Sequence, residues 1–229
     1  MNNISVVIPA LNEENNIKKL IDEINEVINE SSYIFEVIFV VGRDEQLTID
    51  KNLDNLHILN RQDNYFSSAL IQGITYAKND ILITLDSDGS HSFLEITKHL
   101  DYFVKHKLDI LIFSRYLDKS RNEENVLNVI FSKLLNSILG YFSSLKLTDY
   151  SNNLRIFKKS IINQDSYQSK HFEFLYEFLI KAKKNFPELR IVEVPTIHLK
   201  RGSGRSKKNH VYYLLNYIFL FIKLRLKKL

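Results

Sequence analysis

The sequence predicts an α/β fold with a mostly parallel central sheet flanked by helices. Short apolar runs rich in β-branched residues alternate with longer segments in which apolar residues recur every three or four positions. Such alternation of strands with helices is typical of parallel sheets. The polar run at residues 86–91 directly follows one apolar run, and sheets of this class bind ligands at the carboxyl ends of their strands.

The elements follow from the chain in order. The predicted strands are residues 4–9, 37–41, 57–59, 81–85, 110–113 and 191–195. Apolar residues recur at helical spacing from Ile17 to Ile28, and the same pattern predicts helices over residues 65–77, 93–105, 126–142 and 172–183. Residues 118–125 and 200–209 are polar and are predicted loops. Residues 1–209 then form one domain, and residues 210–229 form a C-terminal apolar-basic helix.

Composition narrows the class of protein. The chain has 229 residues, of which 45% are apolar and 25% charged, with six glycines and three prolines. These values exclude collagen-like, low-complexity and broadly disordered chains. The sequence contains no cysteine, which excludes a disulfide framework, a thiolate zinc site and a cysteine nucleophile.

Charge is unevenly distributed. Nine Lys or Arg residues and no Asp or Glu follow residue 193, whereas residues 1–193 carry a net charge of −5. The basic end predicts an anionic partner, and its apolar helix suits an anchor on an anionic membrane surface. Packing on the domain or a homo-oligomer interface is the alternative. The aromatic residues lie away from the basic loop, so we expect no nucleic-acid partner.

We also predict the cellular location from the sequence. The N-terminus has acidic and Asn residues where a signal peptide has a basic region and a long apolar core. No run reaches the roughly 20 apolar residues that span a bilayer. We therefore expect a cytoplasmic protein, peripheral at the cytoplasmic face of a membrane.

Two carboxylates leave the strand at residues 81–85. Asp86 and Asp88 would repel each other unless a cation lies between them, and hard divalent cations prefer carboxylate oxygens. This spacing predicts a divalent metal that holds a phosphorylated substrate. Two alternatives use the same residues: a turn that caps a helix, and an aspartyl-phosphate phosphohydrolase with Asp86 as nucleophile.

An ordered set of motifs resembles family-2 glycosyltransferases with the GT-A fold, above all the polyprenol-phosphate sugar transferases. Residues 6–14 (VVIPALNEE) resemble V-V-I-P-x-Y-N-E, and Ala69, Gly73, Ala77 and Asp80 match the helix that leads to the metal strand. Residues 86–91 (DSDGSH) match D-x-D with its histidine, and residues 114–116 match S-R-Y. Residues 149–155, 172–177 and 192–207 resemble the later motifs in the same order.

The resemblance implies an inverting, metal-dependent transfer of a sugar from a nucleotide-sugar donor. The implied acceptor is a polyprenyl phosphate, with a glycan hydroxyl as the alternative, and the implied cofactor is Mg²⁺ or Mn²⁺. Implied catalytic residues are Asp88, Arg115, Arg201 and Lys207. Implied donor-binding residues are Pro9, Leu11, Glu13, Gly42, Asp86, Ser87, Asp88, Arg155 and Ser206. Asp86, Asp88 and Ser90 are the implied metal ligands, and Ser132, Lys133 and Glu177 lie on the implied acceptor side.

Several positions depart from the family pattern. Val41 and Gly42 stand where the family usually has two acids, Leu11 replaces the tyrosine of the first motif, and Asn153 replaces a glycine. The sequence therefore does not predict which nucleotide the donor carries. A non-catalytic binding protein on the same scaffold is a further alternative. An acceptor that is already a phosphate needs no general base, whereas a hydroxyl acceptor needs one, for which Glu177 and Asp149 are the candidates.

Overall fold

A computed structural model describes residues 3–47, 55–162 and 167–201, together with Asn216, Tyr217, Phe219 and Leu220. The strands are β1 (Asn3–Pro9), β2 (Ile34–Val41), β3 (Leu56–Asn60), β4 (Ile81–Thr84), β5 (Ile110–Ser114), β6 (Arg121–Asn122), β7 (Arg155–Lys158), β8 (Ile191–Pro195) and β9 (Ile197–His198). The helices are α1 (Glu14–Glu30), α2 (Phe66–Tyr76), α3 (Phe93–Thr97), α4 (Leu100–Lys105), α5 (Val126–Phe142) and α6 (Phe174–Asn185).

Seven strands form the central sheet in the order β3-β2-β1-β4-β7-β5-β8. Strands β3, β2, β1 and β4 pair with one another in parallel, and so do β5 and β8. Strand β7 is antiparallel to both β4 and β5. The predicted α/β fold with a mostly parallel sheet is therefore confirmed, and β7 makes the sheet mixed.

Three short strands differ from the sequence prediction. Strand β7 was not predicted, because its sequence RIFK has two apolar residues between two basic ones. The predicted loop at residues 118–125 contains β6, which pairs with β9.

The predicted helix over residues 93–105 is divided into α3 and α4, because His99 N donates to Ile96 O (3.0 Å) in a tighter turn than an α-helix makes.

The sheet separates two apolar cores. Successive side chains of a strand point to opposite faces, so Val7 packs on one side of β1 whereas Val6 and Ile8 pack on the other. Helices α1, α3 and α4 cover the face of Val6. Helices α2, α5 and α6 cover the face of Val7. Both faces of the central strands are buried, as expected for a parallel sheet.

Helix α2 lies very close to the sheet at Gly73. A Cβ atom on Gly73 would lie 2.4 Å from Val7 Cγ1 and 3.1 Å from Val40 Cγ2. A side chain at this position would therefore push the helix away from β1 and β2. The close contact brings the first turn of α2, with Phe66, to the edge where the parallel strands end.

Helix α5 has the predicted bounds and an unusual surface. Leu135 and Leu139 are buried in the core, whereas Leu127 and Tyr141 are 75% and 84% exposed. Val126, Ile130, Leu134, Ile138 and Phe142 are also exposed. The helix contains one charged residue, Lys133, and no acidic residue. It is therefore apolar on its outer face as well as on its inner face, which is uncommon for a surface helix.

The C-terminal segment is described at four positions. Asn216, Tyr217, Phe219 and Leu220 have helical backbone, and Tyr217 and Leu220 are buried in the core that α5 and α6 share. The remainder of the predicted helix at residues 210–229 lies outside the described residues. Within the part of the chain that the structure describes, no helix has the length and apolar composition needed to span a bilayer.

Candidate functional site

A cavity of about 470 Å³ lies at the carboxyl edge of the sheet. One wall, which carries the charged groups and is called the polar wall, is built from residues that follow three parallel strands. These are Ala10 and Leu11 after β1, Asp86, Ser87 and Asp88 after β4, and Arg115 and Tyr116 after β5. Its apolar wall consists of Val129, Phe131 and Leu135 on α5 together with Phe66, Phe172 and Tyr217. One cavity thus joins a charged surface to an apolar one.

Hydrogen bonds hold the two carboxylates on the polar wall. Asn153 Nδ2 donates to Asp86 Oδ1 (2.9 Å), so the residue that replaces the family's glycine orients this carboxylate. Ser90 N donates to Asp88 Oδ1 (3.1 Å). Ser87 Oγ donates to Pro9 O (3.1 Å), which ties the end of β4 to the end of β1. The loop after β4 is therefore anchored to its neighbours on both sides.

Arg201 bridges two acidic residues across the cavity. Its guanidinium pairs with Glu13, and its Nη1 lies 3.5 Å from Asp88 Oδ2. Leu199 N donates to Ser90 O (2.8 Å), which holds the chain before Arg201 against the loop after β4. Burial lowers the pKa of Arg201 from its ordinary value. This side chain places positive charge beside the predicted metal ligands.

The polar wall fits Mg²⁺ or Mn²⁺. Asp86 and Asp88 both line the cavity, and Ser90 Oγ is buried without a hydrogen bond to any described residue. These are hard oxygen donors of the kind that both ions bind. Among the described residues no group of three or more His, Asp or Glu side chains could hold a metal ion. Two carboxylates nevertheless suffice for Mg²⁺ when substrate phosphates complete its coordination.

Arg115 is held at the cavity by a buried ion pair. Its Nε lies 2.7 Å from Asp149 Oδ2, its Nη2 lies 2.8 Å from Asp149 Oδ1, and Nη2 also donates to Ser151 Oγ (2.8 Å). Burial alone would raise the pKa of Asp149, but the charge and hydrogen bonds of Arg115 hold it below its ordinary value. Burial would lower the pKa of Arg115, and Asp149 raises it instead. Asp149 is thus a positioning residue for Arg115.

Hydrogen bonds and aromatic stacking organise the apolar wall. Tyr116 OH donates to Ser132 Oγ (2.6 Å), which joins the residues after β5 to helix α5. The rings of Phe66 and Phe172 stack with their centroids 4.3 Å apart. Tyr217 OH donates to Phe172 O (3.1 Å). Burial raises the pKa of Tyr217 above its ordinary value.

The cavity contains most of the predicted site residues. Those that line it are Pro9, Leu11, Glu13, Asp86, Ser87, Asp88, Ser90, Arg115, Ser132 and Arg201. Ser206 and Lys207 lie outside the described residues.

Four other predicted site residues, Gly42, Lys133, Arg155 and Glu177, do not line the cavity. Lys133 is exposed on α5, and its Nζ lies 5.8 Å from the centroid of the Tyr116 ring. Gly42 packs against Leu11 and Glu45 beside the cavity.

Arg155 and Glu177 are buried in the core. Arg155 donates to the backbone oxygens of Asn152 (2.8 Å), Leu175 (3.0 Å) and Tyr150 (2.8 Å). Glu177 accepts hydrogen bonds from the backbone N–H groups of Gln168 and Ser169 and pairs with Lys181. These contacts use the charged groups inside the fold, and neither residue lines the cavity, so their donor-side and acceptor-side roles stay predictions.

Sequence reasoning missed several residues that line the cavity, among them Arg61, Glu124, His198 and Tyr217. Arg61 directly follows β3, so its place at a strand end was a usable signal. His198 lies on β9, and its Nδ1 lies 3.2 Å from Nε2 of the buried His91. The pairing of the two-residue strands β6 and β9 brings Glu124 and His198 together, and no local pattern predicts it.

A family model for glycosyl transferase family 2 matches residues 5–168, which include the ends of β1, β4 and β5. The chain belongs to glycosyl transferase family 2. This assignment confirms the resemblance seen in the motifs, and it makes the protein a glycosyltransferase. The family assignment therefore replaces the phosphohydrolase alternative.

Relatives of this family-2 glycosyltransferase include enzymes named for polyprenyl-phosphate acceptors. Dodecaprenyl-phosphate galacturonate synthase of Rhizobium johnstonii is 27% identical over 216 residues, which are 89% of this chain and 61% of the relative. Dolichol-phosphate mannosyltransferase of Pyrococcus furiosus is 26% identical over 232 residues, 96% of this chain and 64% of the relative. This chain thus spans less than two thirds of either relative.

Solved structures support the fold assignment. Glucosyl-3-phosphoglycerate synthase from Mycobacterium tuberculosis, in complex with Mn²⁺, uridine diphosphate and phosphoglyceric acid, matches with a TM-score of 0.68 at 15% identity. The match covers 99% of this chain and 78% of that one. The same synthase is also known in complex with Mg²⁺ and uridine diphosphate. At this identity the likeness establishes the GT-A-like fold.

Proposed function

We propose that this glycosyltransferase transfers a sugar from a nucleotide-sugar donor to a polyprenyl phosphate, with inversion and with Mg²⁺ or Mn²⁺. One observation carries the proposal: Asp86, Asp88 and Arg115 share a cavity with an apolar wall built on α5. A nucleotide diphosphate suits the charged wall, and a polyprenyl chain suits the apolar one. The names of the relatives from Rhizobium johnstonii and Pyrococcus furiosus agree with this acceptor class.

The proposed reaction is a single displacement at the anomeric carbon. An oxygen of the acceptor phosphate attacks this carbon while its bond to the donor diphosphate breaks, and the electron pair leaves on the diphosphate. Arg115 and Arg201 lie at the cavity with positive charge that stabilises the leaving group. When bound at Asp86 and Asp88, the divalent ion supplies further positive charge for the same diphosphate.

The contacts of the two predicted general bases bear on the choice between a phosphate and a hydroxyl acceptor. A phosphate is already anionic and attacks without losing a proton, whereas a sugar hydroxyl needs a general base. Asp149 is paired with Arg115, and Glu177 is bonded inside the core. Neither of these two predicted bases lines the cavity. Their contacts therefore give no support to a hydroxyl acceptor that relies on either of these two residues.

The test of the acceptor compares polyprenyl phosphate with polyprenol of the same chain length. We expect sugar transfer from at least one nucleotide sugar to the phosphate, and a rate at least about 100-fold lower with the alcohol, because only the phosphate is an anionic nucleophile at neutral pH. Transfer of radiolabelled sugar into the lipid fraction measures both rates. Equal transfer to the alcohol, or transfer to glycan hydroxyls alone, would contradict the proposed acceptor.

We further propose that the outer face of α5 contacts the membrane that holds the lipid acceptor. The exposed side chains of Leu127, Ile130, Leu134 and Tyr141 lie on the helix whose inner face lines the cavity. Burial of such side chains in the lipid interface is favourable, and the absence of acidic residues from α5 removes repulsion from anionic headgroups. The acceptor phosphate would then enter the cavity from the membrane surface.

This contact predicts that a Leu127→Gln/Leu134→Gln variant binds vesicles with anionic phospholipid about tenfold more weakly than the wild-type protein, because two large apolar side chains no longer enter the interface. Sedimentation with the vesicles measures the bound fraction. A Leu94→Gln/Ile71→Gln variant is the matched control, since both residues are exposed on other helices. The same loss in both variants would show that α5 is not the contact face.

A further inference from the structure

Arg61 occupies a fixed position at the carboxyl edge of the sheet. Its backbone N–H donates to Val41 O (3.2 Å), which places Arg61 beside the end of β2. Its Nη1 donates to Tyr65 O (3.3 Å), which holds the guanidinium at the start of α2. The side chain lines the cavity that contains Asp86 and Asp88. Arg61 is therefore a cation of this site that none of the family motifs includes.

The guanidinium of Arg61 is buried without complete hydrogen bonding. The residue is 3% exposed, and its Nε and Nη2 make no hydrogen bond with any residue in the described ranges. Burial lowers the pKa of Arg61, although the charges of Glu45 and Asp63 act in the opposite direction. Buried donors of a charged group are nearly always satisfied, since leaving them unpaired is costly. Such a group points to a ligand that accepts its hydrogen bonds.

The neighbouring carboxylates have other hydrogen-bond partners. Asp63 accepts from Tyr65 N (2.8 Å) and from Ser68 Oγ (2.9 Å). Glu45 accepts from Asn12 N (2.7 Å) and from Gly42 N (3.2 Å). Two further basic side chains surround Tyr65. Lys170 Nζ lies 4.6 Å from the centroid of the Tyr65 ring, and the His171 ring lies 5.5 Å from it. The carboxylates near Arg61 thus have other donors, and Lys170 adds a second positive charge near the start of α2.

We propose that Arg61 is an anion-binding residue of the cavity and that it binds a phosphate oxygen of a substrate. The planar guanidinium suits phosphate because two of its N–H groups bond two oxygens of one group. The phosphate belongs either to the donor diphosphate or to the acceptor. This assignment of the ligand rests on the proposed function, whereas the anion site itself is testable without turnover.

Titration calorimetry with inorganic pyrophosphate, without metal, tests the site. We expect Arg61→Gln to weaken pyrophosphate binding at least about tenfold, as for the loss of a charged hydrogen bond. Arg43→Gln is the matched control, because Arg43 is exposed at the same edge of the sheet and its loss changes the net charge equally. We expect Arg43→Gln to change the affinity less than about twofold. Arg61→Lys keeps the charge and should show an intermediate loss.

Thermal unfolding of the ligand-free proteins separates binding from a structural role. Removal of a buried, incompletely bonded charge should leave the Tm of Arg61→Gln equal to that of the wild type or raise it by about 2 °C. A large fall in Tm with unchanged pyrophosphate affinity would overturn the proposal. So would wild-type protein that binds none of the phosphate ligands, or equal losses in Arg61→Gln and Arg43→Gln.

Two further titrations identify the source of the phosphate. A loss of affinity in Arg61→Gln for uridine diphosphate with Mn²⁺ assigns the contact to the donor. A loss for farnesyl phosphate assigns it to the acceptor. If neither affinity falls, the proposal is wrong. If binding depends on Arg61 but no nucleotide sugar supports transfer to a lipid phosphate, the anion site stands and the proposed function fails.

Discussion

We expect Asp88→Asn to lower kcat for sugar transfer about 100- to 1000-fold with little change in Tm. Asparagine keeps the shape of the side chain and an oxygen that accepts from Ser90 N, so the loop after β4 should keep its structure. The change removes the negative charge that would hold the divalent ion, which is expected to contribute several kcal/mol to stabilisation of the leaving diphosphate. Single-turnover transfer at saturating donor measures the loss.

Asp118→Asn provides the control for this variant. Asp118 is exposed and does not line the cavity, so the same chemical change there should leave kcat within about twofold of wild type. Calorimetry with Mn²⁺ and uridine diphosphate should show that Asp88→Asn loses the part of nucleotide affinity that depends on metal. If Asp88→Asn retains full kcat and metal-dependent binding, Asp88 has no role in holding the ion.

We expect Arg155→Met to lower the free energy of unfolding by about 3 kcal/mol without weakening nucleotide binding. The Arg155 guanidinium donates to three backbone oxygens in the interior, and burial lowers its pKa to about 10. Methionine fills a similar volume but removes the Arg155 donors from these carbonyl groups. Urea unfolding measures the change in stability, and calorimetry with the nucleotide measures binding.

Arg121→Met is the comparison for a surface arginine. The Arg121 side chain is 72% exposed and pairs with Glu123, so its replacement should change stability by less than about 0.5 kcal/mol. A stable Arg155→Met variant with weakened nucleotide binding would return Arg155 to the donor site. Loss of stability with unchanged affinity would establish its structural role.

Much of the fold was predictable because its signals are local. The apolar runs of β1, β2 and β4 form buried strands at the predicted places, and α5 begins and ends at its predicted residues. Strand β7 was not predictable in this way. Its four residues form a strand because their backbone pairs with β4 on one side and with β5 on the other. These partner strands lie about 40 to 75 positions away in the sequence.

The site shows the same division between local and distant causes. Asp86 and Asp88 follow a strand directly, so the sequence places them at the ligand-binding edge. Arg155 and Glu177 were predicted in the site because they match motifs, but a motif does not reveal whether a charged group meets substrate or backbone. Arg61 shows the opposite relation between motif and position. It belongs to none of the motifs used, and yet it lines the cavity.

The antiparallel strand β7 has a consequence for the order in which the molecule forms. Ile81 and Thr84 of β4 pair with Lys158 and Arg155, so one edge of β4 stays open until the chain has been synthesised past residue 158. An open apolar edge is a template for pairing with another chain. The nascent N-terminal half, β1 to β4, is therefore the stage at which aggregation is most probable during synthesis. Pairing of β7 with β4 and β5 closes this edge and joins the two halves of the sheet.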